Sequence, residues 1–347
     1  MHRAAIAYAL ASAALFGAST PLAKLLVGEV APLALAGLLY LGSGIGLFAW
    51  FLLRMRREAA TSLSRADWPW LAGAIAAGGI AGPALLMFGL ARCDGATASL
   101  LLNLESVFTA SIAWVVFREN VDRRVFLGMA AIVAGGVVLS WDELPRAGGL
   151  AGPLLIAAAC LLWAIDNNLT RRVSGGDAVT IAGMKGLVAG SVNLSLALLQ
   201  GASLPGAGLL ASAAAVGFFG YGISLVFFVV ALRNLGTART GAYFSVAPFF
   251  GAALALLVLR ESPSSAFWVA AGLMALGVWL HLTERHEHAH VHEPMEHAHP
   301  HVHDEHHQHD HAFAWDGREP HTHPHAHRRL AHRHPHYPDL HHRHDHG

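Results

Sequence analysis

A chain of 347 residues that is 54% hydrophobic, only 13% charged and formally neutral has neither the composition of an ordinary soluble enzyme nor the basic surplus of a nucleic-acid binder. Its few charges gather at the ends of apolar segments and in a C-terminal tail. A soluble reading would need one enormous core, so the pattern is that of a polytopic membrane protein.

Ten apolar segments follow one another at 4–27, 32–53, 69–91, 95–117, 124–141, 150–170, 178–199, 208–232, 237–259 and 263–282. Each is close to the ~20 residues that cross a bilayer as a helix. The first could be mistaken for a signal peptide ending near Phe16-Gly17-Ala18-Ser19, but its removal would leave the first half one span short, so it is expected to stay. Arg54, Arg56, Arg57 and Arg65 follow the second span, and Arg118, Arg123 and Arg124 follow the fourth. The alternate connections are poorer in Arg, which predicts that the Arg-rich ones and both termini are cytoplasmic. Cys93 and Cys160 fit neither a disulfide framework nor a cysteine metal site and read as packing residues.

The spans fall into two sets of five. Phe117-Arg118-Glu119 and Leu259-Arg260-Glu261 stand 142 positions apart, and the apolar segments around them align at that offset. Leu15-Phe16-Gly17 through Lys24 also lie on Leu162-Trp163-Ala164 through Arg171 once a few residues are inserted. Five crossings per half force the halves to insert with opposite orientation, which makes the duplication an inverted repeat, a construction common among secondary transporters. The expected fold is an all-α membrane protein of ten transmembrane helices, with repeats at 1–141 and 148–282 and a disordered tail at 283–347.

The stretch Gly17-Ala18-Ser19-Thr20-Pro21 to Lys24, the long fourth span closing in Arg118-Glu119 and its echo closing in Arg260-Glu261 resemble the drug/metabolite transporter superfamily, EamA-type. The resemblance covers both halves and excludes the tail. It implies a central substrate cavity and movement of small metabolites or drugs across a prokaryotic inner membrane. The chain departs from the pattern in its fourth span, where Leu104-Glu105-Ser106 replaces the proline that members commonly carry; the second half keeps Ala247-Pro248.

That departure puts a carboxylate near mid-span. Glu105 lies among Ser99, Asn103, Ser106 and Thr109 at helical spacing, and an intramembrane acid is a protonation or substrate-contact site by default, a buried structural ion pair being the alternative. Asp166 with Asn167 and Asn168 fits cavity lining and interfacial capping equally well. The chain has two lysines, Lys24 and Lys185, both inside spans. Lys185 is expected to act as counter-ion to Glu105 or Asp166, or to receive an anionic substrate group, and Lys24 to anchor at the interface. The predicted solute or proton pathway is Glu105, Asn103, Asp166, Asn167 and Lys185. Pro21, Pro83 and Pro248 are candidate bends, the spacings Gly42 to Gly46 and Gly186 to Gly190 are for close helix packing, and Trp114, Trp141, Trp163, Trp268 and Trp279 mostly for an aromatic belt.

After Leu282 the apolar runs stop and histidines recur at alternate positions. Clusters stand at His286, His288, His290 and His292; at His297, His299, His301 and His303; at His306, His307, His309 and His311; and at His321, His323, His325 and His327, with further sets beyond. So little apolar content cannot offset the ordering entropy of the chain. Dense imidazoles with interleaved carboxylates can gather nickel, zinc, cobalt or copper. Interrupting acids and prolines exclude an added purification tag, and a pH-dependent attraction to anionic lipid is the weaker alternative.

These features point to a non-enzymatic inner-membrane secondary transporter, expected to export a small organic solute by alternating access, with the tail binding divalent metal. No cofactor is required for transport, and no GxxxxGK[ST] motif occurs. The partners are the bilayer, the solute and metal ions, with no nucleic acid; a homodimer is open. The alternatives are a divalent-metal efflux transporter that uses the tail as ion collector, and a membrane-anchored metal sensor or chaperone. Sparse interior ligands argue against the first, and ten spans with interior charge are excessive for the second.

Overall fold

The computed structural model describes residues 2–54, 64–117, 123–143, 149–174, 176–283, 287–292, 295–301, 321–327 and 330–335. They form two units, 1–284 and 285–347.

The first unit contains ten helical spans, Ala4–Val27, Pro32–Trp50, Arg65–Leu90, Gly95–Val116, Arg123–Trp141, Ala151–Val173, Ala178–Leu199, Ala207–Leu235, Thr240–Val258 and Ser265–Leu282, each long and apolar enough to cross a membrane. They agree with the predicted spans to within a few residues because apolar runs in lipid can satisfy their backbone only as helices. Two of their starts are capped in the usual way. Asp177 accepts the Thr180 amide at 2.8 Å, and Ser264 accepts the Phe267 amide at 3.1 Å, each satisfying an orphan N–H of a first turn.

Helix packing carries the repeat into three dimensions. The second span packs on the seventh, the fifth on the tenth and the fourth on the ninth; the first packs on the eighth and ninth just as the sixth packs on the third and fourth. Each of these contacts is thus either a span with its own counterpart or one of a reciprocal pair, as a two-fold relation between two five-helix repeats requires. Gly44 and Gly186, 142 positions apart, meet where the second and seventh spans cross: a Cβ on Gly186 would stand 2.5 Å from the Gly44 amide nitrogen. Of the glycines expected to allow close helix packing, Gly42, Gly186 and Gly190 each face the backbone of a neighbouring span and Gly46 faces the Phe218 ring. One hydrophobic cluster runs through both halves, from Leu35, Leu86 and Leu100 to Ile156, Ile181 and Met274.

Four spans are not continuous α-helices. The third and eighth contain wide π-type turns at Ile75–Ala81 and Gly217–Ile223, again 142 positions apart. The fourth breaks at Leu102 and Asn103, before the helix Leu104–Phe117, and the ninth breaks at Ser245 and Val246, before Ala247–Val258. Proline accounts for only part of this. Pro248 opens the second half of the ninth span and Pro83 follows the first π turn, whereas the fourth span breaks without one and Pro21 sits inside an unbroken helix. Carbonyls loosened by such turns need other donors in a membrane.

In the second unit, strand β1, Glu287–His292, pairs antiparallel with β4, Leu330–Pro335, and β2, Met295–His301, with β3, His321–His327. Composition alone predicts an unstructured tail. The ladders at these residues follow the alternation of the sequence, whose period of two is the period of a strand. The register sets His297 opposite His325 and His299 opposite His323.

Candidate functional site

The sixth span brings most of the interior polar groups together. Asp166 is 6% and Lys185 of the seventh span 2% exposed. Lys185 Nζ donates to Asp166 Oδ1 at 2.6 Å and Oδ2 at 2.7 Å, and to Thr170 Oγ1 at 3.2 Å. Thr170, one turn beyond Asp166, donates in turn to Oδ1 at 2.8 Å. The lysine therefore has Asp166 as its counter-ion, in a bidentate pair braced by a hydroxyl. Of the two readings of Asp166, interfacial capping gives way to interior pairing, because the polar face of the sixth span turns toward the seventh instead of toward the helix end.

Gly78, in the π turn of the third span, makes room for the pair: a Cβ there would collide with the Asp166 carboxylate. Its carbonyl accepts the Tyr40 hydroxyl and the Trp163 indole N–H, both at 2.9 Å. Asn193 serves the neighbouring Ile80 carbonyl in the same way at 3.1 Å. The loosened backbone of the π turn is thus satisfied from the second, sixth and seventh spans.

Glu105 opens the helix that follows the break in the fourth span and is buried. Asn167 Nδ2 donates to its Oε1 at 2.7 Å. Since Asn167 adjoins Asp166, one stretch of the sixth span touches both acids. Asn103 does not join them: its amide donates to Leu100 O at 3.0 Å and lies 3.7 Å from Met274 Sδ, facing the tenth span. Its buried Oδ1 has no hydrogen-bond partner among the described residues. Asn168 donates back to Ala164 O at 2.8 Å.

Aromatic rings close around this cluster. Phe16 meets Trp163 edge-on at 5.6 Å and Tyr221 at 5.8 Å, and Tyr40 lies 5.3 Å from Tyr221. Phe16 and Trp163 are the two residues that the early sequence match superimposes, and here they touch across the repeat interface. Trp163 consequently departs from the expected aromatic belt. It is buried and hydrogen-bonded inside, whereas Trp114, Trp141, Trp268 and Trp279 are exposed on the outer surface.

The cluster unites two carboxylates, one ammonium and several amides and hydroxyls where interrupted helices of both repeats meet. Such a set can hold or release a proton and can bind a polar solute. Among the described residues no three His, Cys, Asp or Glu side chains stand together as a metal site. Of the tail histidines named above, His286, His303, His306, His307, His309 and His311 lie outside the described residues; the others are described only as backbone positions in β1, β2 and β3.

Sequence reasoning missed Thr170, Tyr40, Trp163 and Gly78. Thr170 carried a usable signal, standing four residues beyond Asp166 on the same helix face. Gly78-Gly79 marked a weak point in the third span, but nothing local tells a π turn from simple close packing.

A ten-helix, two-repeat bundle with interrupted helices and a charged interior is the architecture of a membrane transporter. The profile of the EamA-like transporter family matches residues 3–141 and again residues 150–283, and the chain belongs to that family. An "uncharacterized transporter" of Methanothermobacter thermautotrophicus is 28% identical over 284 residues, covering 76% of this chain and 82% of its own. A "probable 4-amino-4-deoxy-L-arabinose-phosphoundecaprenol flippase subunit ArnE" of Pseudomonas fluorescens is 35% identical over 104 residues, 30% of this chain and 89% of its own. One solved crystal structure superposes with a TM-score of 0.63 at 20% identity, covering 80% of this chain and 95% of that one, a likeness of fold.

Proposed function

We propose that this membrane transporter is an exporter of a small organic solute working by alternating access of its two repeats, with Glu105 as the group that carries the coupling proton or contacts the solute. One observation carries the reading: Lys185 is committed to Asp166 in a bidentate pair, while the side chain that Glu105 meets among the described residues is the neutral amide of Asn167. One interior acid is thus charge-compensated and the other is available to exchange a proton or meet a cationic group. A divalent-metal pathway is disfavoured because no three His, Cys, Asp or Glu side chains stand together as a metal site among the described residues. Asp166 and Lys185 support the site, Asn167 orients Glu105, and Asn103 would line the path at the break in the fourth span, on the side of the tenth.

The Arg-rich connections support an orientation with both termini in the cytoplasm of a prokaryotic cell. There the tail would bind nickel, zinc, cobalt or copper as a buffer or sensor, through alternating imidazoles.

Glu105→Gln keeps the size of the side chain and an acceptor for Asn167 while abolishing protonation. The variant is expected to insert and express as the parent does and to lose most solute flux in vesicles, or the pH dependence of that flux. Normal transport between about pH 5 and 8 in the variant, a range spanning ordinary carboxylate and imidazole titration, would demote Glu105 to a packing residue.

A further inference from the structure

The first and ninth spans converge on a single short connection. Lys24 Nζ, near the end of the first span, donates to Leu90 O and Cys93 O, each at 2.6 Å. It thereby caps the last turn of the third span and fixes the chain that leaves it. From the other side the Glu261 carboxylate accepts the Gly95 amide on Oε1 and the Ala96 amide on Oε2, both at 2.7 Å, taking up the first amides of the fourth span. Lys24 is therefore more than the interfacial anchor its position suggests.

Arg260 makes the second grip geometrically feasible. Its φ of 54° is the only positive value among described non-glycine residues, and this left-handed turn after the ninth span brings the next side chain back toward Gly95. The packing there leaves no slack, since a Cβ on Gly95 would stand 2.6 Å from Leu259 Cδ1 and 3.1 Å from Glu261 Oε1. The motif Leu259-Arg260-Glu261, prominent in the sequence and unused by the interior cluster, acquires a task.

The connection is thus gripped by two side-chain ions at points where backbone partners end. Both ions are half-buried, and bonds of this kind weaken further as more water reaches the ions. Glu261 belongs to the second repeat and its amide partners to the first, so the grip crosses an interface between the repeats. We propose that Lys24 and Glu261 form a two-sided latch on the connection between the third and fourth spans, holding that end of the bundle shut, and that its release opens the end to water.

Two native cysteines read this out in the reconstituted full-length protein. Cys93 lies in the latched connection and is 3% exposed, and Cys160 lies deeper, 0% exposed, with Sγ 3.8 Å from Leu101 O. Both are followed by mass spectrometry after treatment with a water-soluble maleimide. Glu261→Gln is expected to label at Cys93 roughly tenfold faster than the parent, the change that follows from losing one charge-assisted hydrogen bond, and Lys24→Met, which loses two, at least as fast. Cys160 should stay protected, and Lys24→Arg, which keeps the charge, should label slowly. Cys93 remaining as protected in both variants as in the parent overturns the latch. So does parallel acceleration of Cys160, which would mean that the contacts only stabilise helix ends. The test depends neither on the identity of the solute nor on Glu105.

Discussion

Lys185→Met should be the most destabilising single change in the interior, costing about 3–5 kcal/mol, because it leaves the Asp166 carboxylate buried without its counter-ion. The pair is inaccessible to water, with Lys185 2% exposed, and both carboxylate oxygens lie within 2.7 Å of Nζ. Thr170 can replace only a fraction of that interaction. Adding Asp166→Asn to Lys185→Met removes both charges and is expected to restore most of the stability, since a neutral amide beside Thr170 carries a much smaller desolvation cost. Thermal unfolding of the purified variants in detergent checks this. Equal midpoints for the single and the double variant would mean that the pair is not a closed electrostatic unit.

Truncation after Thr283 should abolish high-capacity binding of nickel, zinc or cobalt while leaving the helical bundle intact. The tail holds all but two of the 25 histidines, the exceptions being His2 and His281. His281 is engaged within the bundle, its Nε2 lying 3.1 Å from Val125 O. The described hydrophobic clusters all lie between residues 5 and 278, so cutting the tail away removes none of the core seen among the described residues. Calorimetry at pH 7.5 compares metal stoichiometry in the full and truncated chains, and circular dichroism compares their helix content. The full chain should release metal near pH 5, below the ordinary imidazole pKa of about 6.5, because protonated imidazoles cannot coordinate. Unchanged stoichiometry in the truncated protein would remove the tail as the reservoir, and loss of helix would show that it supports the bundle.

The span pattern and the duplication were legible because lipid permits one solution for a long apolar run, and because punctuation such as Arg260-Glu261 survives in both halves. Close approach at Gly42, Gly186 and Gly190 was legible for the same reason, small residues having few other uses at helix crossings, although Gly44, which meets Gly186, was not singled out. The partner of Lys185 was narrowed to two acids and no further. A residue on the seventh span can face the fourth or the sixth, and the choice depends on the rotation of packed helices, which periodicity does not fix. Trp163 looked like a belt residue because sequence position gives depth in the membrane but not the direction of a side chain. The π turns were illegible, since a single wide turn changes neither composition nor hydropathy. Lys24 illustrates the same limit near a helix end, where snorkelling to the interface and capping a neighbouring helix require the same residue at the same depth.

The most direct test of the central claim, a secondary transporter whose interior acid Glu105 exchanges a proton during turnover, is solute-dependent proton movement in sealed proteoliposomes without ATP. A pH-sensitive dye in the lumen follows protons while a panel of small organic solutes is presented under an imposed pH gradient. The account predicts that a transported solute accelerates dissipation of the gradient in the parent and in the chain truncated after Thr283, and fails to do so in Glu105→Gln. Solute flux that proceeds with no accompanying proton movement, or proton movement that persists undiminished in Glu105→Gln, would contradict it.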